Sequence, residues 1–128
     1  MKRIIVLFLL GMIIFGGCKK KEEEAVSSYT HISQEEAKRV MDEEDDIVIL
    51  DVRTKEEYDG GHIKDAICIP NETIDEKVSE TLKDKNQKIL VYCRSGRRSV
   101  QAAEKLVALG YTKIYEFGGI IDWIYGVE

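Results

Sequence analysis

The fold is decided by a short stretch, residues 89–99, which reads ILVYCRSGRRS. Its first four residues are apolar or aromatic without a break, which is typical of a strand buried on both faces of a parallel sheet. Cys93 then opens a tight loop through Gly96. Apolar residues recur at helical spacing over 98–109, and Gly110 stops the pattern, so a helix is predicted there. The stretch therefore places a cysteine at the carboxyl edge of a sheet, where open α/β folds bind ligands.

Strands and helices alternate along the rest of the chain. The predicted strands are 29–32, 47–50, 66–69 and 114–117. The predicted helices are 33–42, 55–59, 73–82 and 120–125, with a turn at Gly118-Gly119 before the last one. Ser33 with Glu36 forms a capping-box pattern, and Thr54 can cap the second helix. This alternation, with two strands that are apolar throughout, predicts an α/β domain with a parallel sheet.

Composition narrows the classes of protein that fit. The chain has 128 residues, of which 24 are acidic and 19 basic, so its formal charge is −5. This length fits one domain, and an apolar fraction of 44% excludes wholesale disorder. The acidic balance argues against general nucleic-acid binding. Three cysteines are too few for a disulfide scaffold, and the sequence shows no metal-ligand cluster or nucleotide loop, so neither metal nor cofactor is expected.

Residues 1–17 have the pattern of a secretory signal peptide. A positive start at residues 2–3 precedes an apolar run at residues 4–15. As a helix this run would span about 18 Å, well short of the roughly 30 Å core of a bilayer. The following FGGC at residues 15–18 resembles a bacterial lipobox, with phenylalanine where leucine is usual. The resemblance implies that Cys18 carries a diacylglycerol and becomes the first residue after cleavage; an uncleaved membrane anchor is the alternative.

A charged linker follows the signal segment, because three bases and three acids at residues 19–24 favour a solvated stretch. We therefore expect a lipoprotein signal peptide at 1–17, a lipid-anchored linker at 18–28 and one globular domain at 29–128. The lipid on Cys18 would tether the domain to the outer face of the cytoplasmic membrane or to the periplasmic side.

The loop after the buried strand carries the predicted chemistry. Backbone amides between Arg94 and Ser99 can point inward and form an anion-binding bowl at a helix N-terminus. Cys93 would lie at the bottom of that bowl, where the helix N-terminus and the arginines favour the nucleophilic thiolate. Arg94, Arg97 and Arg98 would repel one another without a shared anionic ligand. The alternative is a buried thiol at a strand end beside ordinary surface charge.

The same loop, residues 93–99, resembles the active-site loop of the rhodanese family, the single-domain sulfurtransferases. The other motifs that match this family, in its order, are DVR at 51–53, EY at 57–58, GHI at 61–63, Ala66 with Ile69-Pro70, LGY at 109–111, and Gly118-Gly119 with Trp123. The resemblance covers about residues 32–127, which is nearly all of the predicted domain.

The resemblance implies a five-stranded, mostly parallel sheet with helices on both faces. It implies transfer of a sulfane sulfur from a small anionic donor such as thiosulfate to a thiophilic acceptor such as cyanide, a thiol or sulfite. Cys93 would be catalytic and carry the sulfur as a persulfide. Arg94 and Arg97 would contact the donor anion, and Arg98 would brace the loop against an acidic residue. The substrate-binding residues would be Arg94, Ser95, Gly96, Arg97, Arg98 and Ser99.

Residues outside the loop receive structural roles from the resemblance. Asp51 and Arg53 would form a structural pair near the site, and His62 would make structural hydrogen bonds. Cys68 departs from the family pattern, which usually has asparagine two residues before this proline. It is either a small buried thiol or a resolving cysteine for Cys93, and a disulfide would need Cα atoms within about 7 Å.

Other protein classes use a comparable loop. A cysteine phosphatase or an arsenate reductase has five residues between its cysteine and arginine. Here four residues separate Cys93 from Arg98, and Ser99 takes the arginine position, so the shorter loop suits a persulfide better. A disulfide oxidoreductase would depend on Cys68, because no Cys-x-x-Cys occurs. A membrane-tethered sulfur carrier, or an anion-sensing module with little turnover of its own, is the alternative from a different class.

Overall fold

A computed structural model describes residues 28–128. The expected signal peptide at 1–17, the lipidation site Cys18 and the linker as far as residue 27 lie outside the described residues. The helices are α1 (Gln34–Glu43), α2 (Lys55–Asp59) and α3 (Arg97–Ala108), with short 3₁₀ helices at Asn71–Thr73, Glu76–Glu80 and Ile120–Asp122. The strands are β1 (Thr30–His31), β2 (Ile47–Asp51), β3 (Ile67–Cys68), β4 (Lys88–Cys93) and β5 (Lys113–Gly119). Within residues 28–128, no helix has the length and apolar character needed to cross a bilayer.

The five strands form one sheet in the order β1-β5-β4-β2-β3. All four neighbouring pairs are parallel, and β2 runs beside β4 from Ile47 opposite Lys88 to Asp51 opposite Tyr92. Parallel neighbours need crossover connections, which place helices over the faces of the sheet. The predicted α/β fold with five strands is confirmed, and the sheet is parallel throughout rather than mostly parallel.

Alternate residues of the central strands face two separate apolar cores. Val91 packs on the α3 side of the sheet, in the same core as Leu106 of α3. Leu90 packs on the opposite side, in the same core as Val40 of α1. Helices therefore cover both faces, and the unbroken apolar run of β4 follows from burial on both sides.

Two of the helices begin where their capping residues predict. The hydroxyl of Ser33 accepts the N–H of Glu36 at 3.0 Å at the start of α1. Thr54 and Glu57 form a reciprocal capping box at the start of α2. These side chains satisfy amides that the first turn of a helix leaves without partners, which fixes both starts.

The predicted helix over 73–82 is wrong. Two 3₁₀ helices, Asn71–Thr73 and Glu76–Glu80, occupy this region and are separated by extended backbone at Ile74 and Asp75. The carboxylate of Asp75 accepts the N–H of Lys77, and such local bonds compete with a continuous helix. The apolar spacing that suggested a helix still has a function, because Ile74 and the apolar residues after it face the α3-side core.

The end of the chain also differs from the prediction. Gly118 and Gly119 are the last residues of β5 rather than a separate turn, and the last helix is confined to Ile120–Asp122. Trp123 packs against Phe117 with ring centroids 5.6 Å apart, so it belongs to the α1-side core.

Candidate active site

Strand β4 delivers Cys93 to the carboxyl edge of the sheet, directly before the loop that leads into α3. The residue is fully buried, and Gly96 N–H donates to its Sγ at 3.0 Å. Gly96 has φ +108°, a left-handed conformation that glycine adopts without a steric penalty, and it is the N-cap of α3. Because α3 has twelve residues, its positive N-terminal end adds to the amide in stabilising negative charge on this sulfur.

The end of β5 and the 3₁₀ helix that follows it fix the position of the loop. Ile121 N–H donates to the carbonyl oxygen of Arg94 at 3.1 Å. A Cβ atom on Gly119 would lie 2.1 Å from that oxygen and 2.6 Å from Cα of Ser95. Only a glycine lets the loop approach β5 this closely. No local sequence signal distinguishes this glycine from an ordinary turn residue, because the contact is between segments far apart in the chain.

A buried polar chain leads away from the cysteine on the α3 side of the sheet. Sγ of Cys93 lies 3.5 Å from Oγ of Ser99, and that hydroxyl donates to Oε2 of Glu116 at 2.5 Å. Oε1 of Glu116 lies 2.6 Å from Nδ1 of His31, whose side chain is 68% exposed. Sequence reasoning missed Glu116 and His31. The available signal was the single charged residue within the otherwise apolar or aromatic run of residues 114–117.

Arg98 is held against an acidic residue of α2. Its guanidinium donates to both carboxylate oxygens of Glu57, at 2.8 and 3.0 Å. These two hydrogen bonds lower the pKa of Glu57 to about 2 and raise the pKa of Arg98. This contact ties the first turn of α3 to α2, an arrangement suited to bracing the loop.

Arg94, Ser95 and Arg97 lie on the exposed side of the loop. Within residues 28–128, neither the Arg94 nor the Arg97 guanidinium has a carboxylate at salt-bridge distance. On the loop and first helical turn that follow Cys93, their charge is therefore uncompensated among the described residues, and a small anion is the ligand that would balance it.

Asp51 and Arg53 form a buried pair at the same edge of the sheet but not at the sulfur. Arg53 donates to both carboxylate oxygens of Asp51 at 2.6–3.0 Å, and the Tyr92 hydroxyl donates to Oδ2 at 2.6 Å. Burial opposes the charged guanidinium, yet the bonds to Asp51 raise the pKa of Arg53 overall. Burial and then the bond to Asp51 raise the pKa of Tyr92 well above its ordinary value. Tyr92 faces the α1 side and Cys93 the α3 side, so this network supports the edge from the opposite face.

His62 is also not placed at the sulfur. Its backbone exchanges two hydrogen bonds with Glu128, at 2.8 and 3.0 Å, and its ring meets the Tyr58 ring edge-on at 3.9 Å. Its Nδ1 is buried and has no hydrogen-bond partner among the described residues. The hydrogen bonds that His62 makes are therefore those of its main chain, and they tie down the C-terminus.

Cys68 and Cys93 are too far apart for a disulfide. Cys68 lies on β3 opposite Asp51, and β2 separates β3 from β4. Neighbouring strands are about 4.8 Å apart, so two spacings exceed the roughly 7 Å that a disulfide spans. Burial, followed by the charge of Asp51, raises the pKa of the Cys68 thiol, which disfavours the reactive thiolate. The resolving-cysteine alternative is removed, and the interpretation as a small, half-buried thiol stands.

The site thus combines a buried sulfur, an inward amide, a helix N-terminus and two uncompensated guanidiniums. A sulfur in this setting can act as a nucleophile, and the amide and positive charges can stabilise an anion bound next to it. Of the residues predicted from the sequence, the structure brings Cys93, Gly96 and Ser99 into direct contact.

Comparison with known proteins gives the family of the chain. The model of the rhodanese-like domain matches residues 33–125. The chain is 41% identical over 73 residues to thiosulfate sulfurtransferase PspE of Escherichia coli, covering 57% of this chain and 70% of that protein. It is 39% identical over 92 residues to a sulfurtransferase of Allochromatium vinosum, covering 71% of this chain and 83% of that protein.

A solved structure agrees with this comparison. The rhodanese-like domain of an Anabaena sp. protein superposes with a TM-score of 0.70 at 30% identity, covering 77% of each chain. Sequence family, relatives and fold coincide over the segment that contains the Cys93 loop. The chain therefore belongs to the family of rhodanese-like domains.

Proposed function

We propose that this protein is a sulfurtransferase that moves a sulfane sulfur, through a persulfide on Cys93, from thiosulfate or a related donor to a thiophilic acceptor. One observation carries the proposal: the sulfur that ends β4 accepts the Gly96 N–H at 3.0 Å at the N-terminus of α3, beside two arginines without carboxylate partners. Membership of the rhodanese-like family and the sulfurtransferase names of its relatives support the same reaction class.

The first half of the reaction loads the cysteine. The Cys93 thiolate attacks the outer sulfur of thiosulfate, a sulfur–sulfur bond to Cys93 forms, and the bond inside thiosulfate breaks to release sulfite. Arg94 and Arg97 would hold the sulfonate oxygens of the donor and then of the departing sulfite. The outer sulfur of the persulfide is left with the negative charge, which the Gly96 amide and the start of α3 stabilise.

The second half of the reaction unloads the cysteine. A nucleophilic acceptor such as cyanide, a thiol or sulfite attacks the outer sulfur, and the electron pair of the breaking bond returns to Cys93 as a thiolate. Dividing the transfer into two displacements lets donor and acceptor use the same positively charged opening in turn.

The size of the loop favours sulfur over phosphorus. Four residues lie between Cys93 and Arg98, and the first turn of α3 begins at Arg97. Gly96 N–H is already in contact with Sγ, so the loop closes on one sulfur atom rather than around a tetrahedral group. This supports persulfide chemistry over the phosphatase and arsenate reductase alternatives.

Thiocyanate production from thiosulfate and cyanide tests the proposal. We expect turnover in the wild type, none in Cys93→Ser and unchanged turnover in the control Cys68→Ser. A carrier with little turnover would load sulfur from the donor and release it only to a protein partner, and so would give no thiocyanate above background. Hydrolysis of p-nitrophenyl phosphate that disappears in Cys93→Ser would instead support a phosphatase and overturn the proposal.

We also propose that Cys18 is lipidated and that the domain works while tethered outside the cytoplasmic membrane. The lipobox-like residues 15–18 support this. Labelled palmitate added to cells that express the full chain should enter the wild type but not Cys18→Ala. Equal labelling of both, or of neither, would contradict the proposal.

A further inference from the structure

Glu116 is an ionisable residue in the interior of the sheet, where an unpaired charge is energetically unfavourable. It lies in the middle of β5, and only 2% of its surface is exposed. A buried carboxylate persists only when its oxygens are well paired. Oε2 accepts the Ser99 hydroxyl at 2.5 Å and Gly118 N–H at 2.9 Å, while Oε1 contacts His31. The sulfur-transfer chemistry described above uses none of these contacts.

Within residues 28–128, the Ser99 hydroxyl is the one side-chain group that links this carboxylate to the nucleophile. A serine hydroxyl has one proton to donate, and three acceptors surround it: Glu116 at 2.5 Å, the Gly96 carbonyl at 3.0 Å and Cys93 Sγ at 3.5 Å. A carboxylate at the shortest distance competes best for that proton. While Glu116 is ionised, Ser99 therefore donates to it and can only accept from the Cys93 thiol.

The opposite arrangement satisfies the same atoms. If the thiol proton moves to Oγ of Ser99 while the Ser99 proton moves to Oε2, Cys93 becomes a thiolate and Glu116 a neutral acid. Ser99 then donates to the sulfur, and Glu116 donates to Ser99. No heavy atom changes place, and the Cys93–Ser99 and Ser99–Glu116 hydrogen bonds are both kept with their direction reversed.

We propose that Glu116 is a positioning residue of the sulfur-transfer site that exchanges one proton with Cys93 through the Ser99 hydroxyl. The inference rests on the proposed function for its role in turnover. Glu116 takes the proton as Cys93 becomes the nucleophile that attacks the donor. It returns the proton when the acceptor removes the outer sulfur and Cys93 leaves as a thiolate.

The surroundings of Glu116 limit what else could titrate there. His31 faces it from β1, Cys93 faces it through Ser99 from β4, and α1 contributes only the uncharged Gln34, which binds the carbonyls of Phe117 and Gly119. On α3 the charged residues next to the cysteine are Arg98, whose guanidinium is occupied by Glu57, and Arg97, which like Arg94 of the loop has no carboxylate at salt-bridge distance within residues 28–128. Cys93, Ser99 and Glu116 therefore form one hydrogen-bonded unit, and the exposed His31 is its contact with solvent.

The size of the coupling follows from the distances. The Ser99 bridge joins the sulfur and the carboxylate through contacts of 3.5 and 2.5 Å, so the two groups are at most about 6 Å apart. At an effective dielectric constant of about 20, two charges at that distance shift each other's titration by about two pH units. Loss of the carboxylate also frees Ser99 to donate to the thiolate, so both effects lower the pH at which the thiolate forms.

The test is the ultraviolet absorbance of the Cys93 thiolate against pH in the full chain, taken as the difference from Cys93→Ser. We expect two inflections in the wild type. Glu116→Gln should leave one inflection, at a pH about two units below the upper wild-type inflection. Glu104→Gln removes the same charge from an exposed position of α3 and should change nothing. A Glu116→Gln titration that superposes on the wild type would overturn the proposal.

The role of Ser99 is tested by repeating the pair in a Ser99→Ala background. The Coulomb part of the shift caused by Glu116→Gln remains there, and the part that comes from freeing the Ser99 hydroxyl is lost, so the shift should become smaller. A shift of unchanged size would show that the charge acts only through space and would overturn the bridge. If Glu116→Gln fails to fold, carbon-13 labelling of the wild-type Glu116 carboxyl gives the same information. The chemical shift of this carboxyl, plotted against pH, should show two inflections in the wild type and only one in Cys93→Ala. The same curve in both proteins would refute the coupling.

Turnover separates this proposal from the proposed function. The comparison is made at a pH where the Cys93 thiol is fully ionised in both the wild type and Glu116→Gln. The reactivity of a thiolate falls about threefold for each pH unit by which the midpoint of its formation is lowered. Glu116→Gln should therefore load sulfur from thiosulfate correspondingly more slowly. Wild-type protein that shows the two inflections but never accepts sulfur would contradict the sulfurtransferase and leave the proton exchange intact. Wild-type protein that accepts sulfur but shows a single inflection in its thiolate titration would support the sulfurtransferase and contradict the proton exchange.

Discussion

A single methyl group added at Gly119 should displace the active-site loop. The backbone of Gly119 has φ −123° and ψ 148°, which alanine adopts without strain, so any effect must come from what the new Cβ meets. That atom would lie 2.1 Å from the Arg94 carbonyl oxygen, 2.5 Å from the Arg94 carbonyl carbon and 2.6 Å from Cα of Ser95. All three are backbone atoms, which cannot rotate out of the way as a side chain could.

The size of the effect follows from these distances. The Arg94 carbonyl has to retreat by about 1 Å to reach an ordinary contact distance, and the loop moves with it. Overpacking of this kind costs about 1–3 kcal/mol, and each kcal/mol lowers Tm by about 4–8 °C in a domain of this length. A misplacement of about 1 Å at a reacting centre can lower the rate about a hundredfold. Gly119→Ala should therefore lower the rate of sulfur loading by one to two orders of magnitude.

The assay compares Gly119→Ala with Gly60→Ala by thermal unfolding and by the rate of thiocyanate formation. Gly60 is a matched control, because its φ is −82° and its added Cβ would meet nothing closer than 3.5 Å. We expect Gly60→Ala to keep the wild-type Tm and rate. If Gly119→Ala also keeps both, the loop does not need its close approach to β5, and the reasoning is refuted.

Three further substitutions test the support of the site. Glu57→Gln keeps a capping-box residue at its position but removes the charge paired with Arg98, so it should cost about 1 kcal/mol or less at neutral pH. Because the pKa of Glu57 is lowered from 4.5 to about 2, this stability is present above about pH 4.5 and is lost as the pH falls towards 2; acid titration of Tm should show a flatter curve in the variant. Arg53→Met leaves Asp51 charged and unpaired in the interior and should cost about 3–5 kcal/mol in denaturant unfolding. Arg97→Gln should raise the KM for thiosulfate several-fold, leave kcat nearly unchanged and weaken the dependence of KM on salt.

Each of these substitutions has a control elsewhere in the chain. Glu56→Gln changes an exposed neighbour on α2, Arg39→Met breaks only exposed ion pairs, and Lys113→Gln removes a positive charge at the opposite edge of the sheet. Equal effects in a variant and its control would show that the named contact is not responsible.

Local signals made the central part of the fold predictable. The apolar runs in β2 and β4 indicate strands that are buried on both faces. The capping residues Ser33 and Thr54 indicate where two helices begin. The Cys93 loop is recognisable because a strand, a cysteine, a glycine and a helix follow one another within a few residues. All of these features depend on neighbours in the sequence, which is why one sequence was enough.

The parts that could not be predicted depend on contacts between distant segments. The apolar spacing of residues 73–82 is the same for one continuous helix and for two 3₁₀ helices with extended backbone at Asp75 between them. The spacing alone therefore could not distinguish the two structures. Glu116 could be recognised as unusual in its strand, but its position beside Ser99 depends on how α3 lies over β5. The close approach of Gly119 to the loop likewise exists only after β4 and β5 have paired.

The most direct test of the proposed function is the intact mass of the protein after incubation with thiosulfate. We predict that the wild type gains the mass of one sulfur atom, that fragmentation places it on Cys93, and that cyanide removes it with release of thiocyanate. Cys68→Ser should behave in the same way, and Cys93→Ser should gain nothing. A wild-type protein that stays unmodified with thiosulfate and with other sulfane donors, or that carries the added sulfur elsewhere, would contradict the assignment of Cys93 as the sulfur-carrying nucleophile.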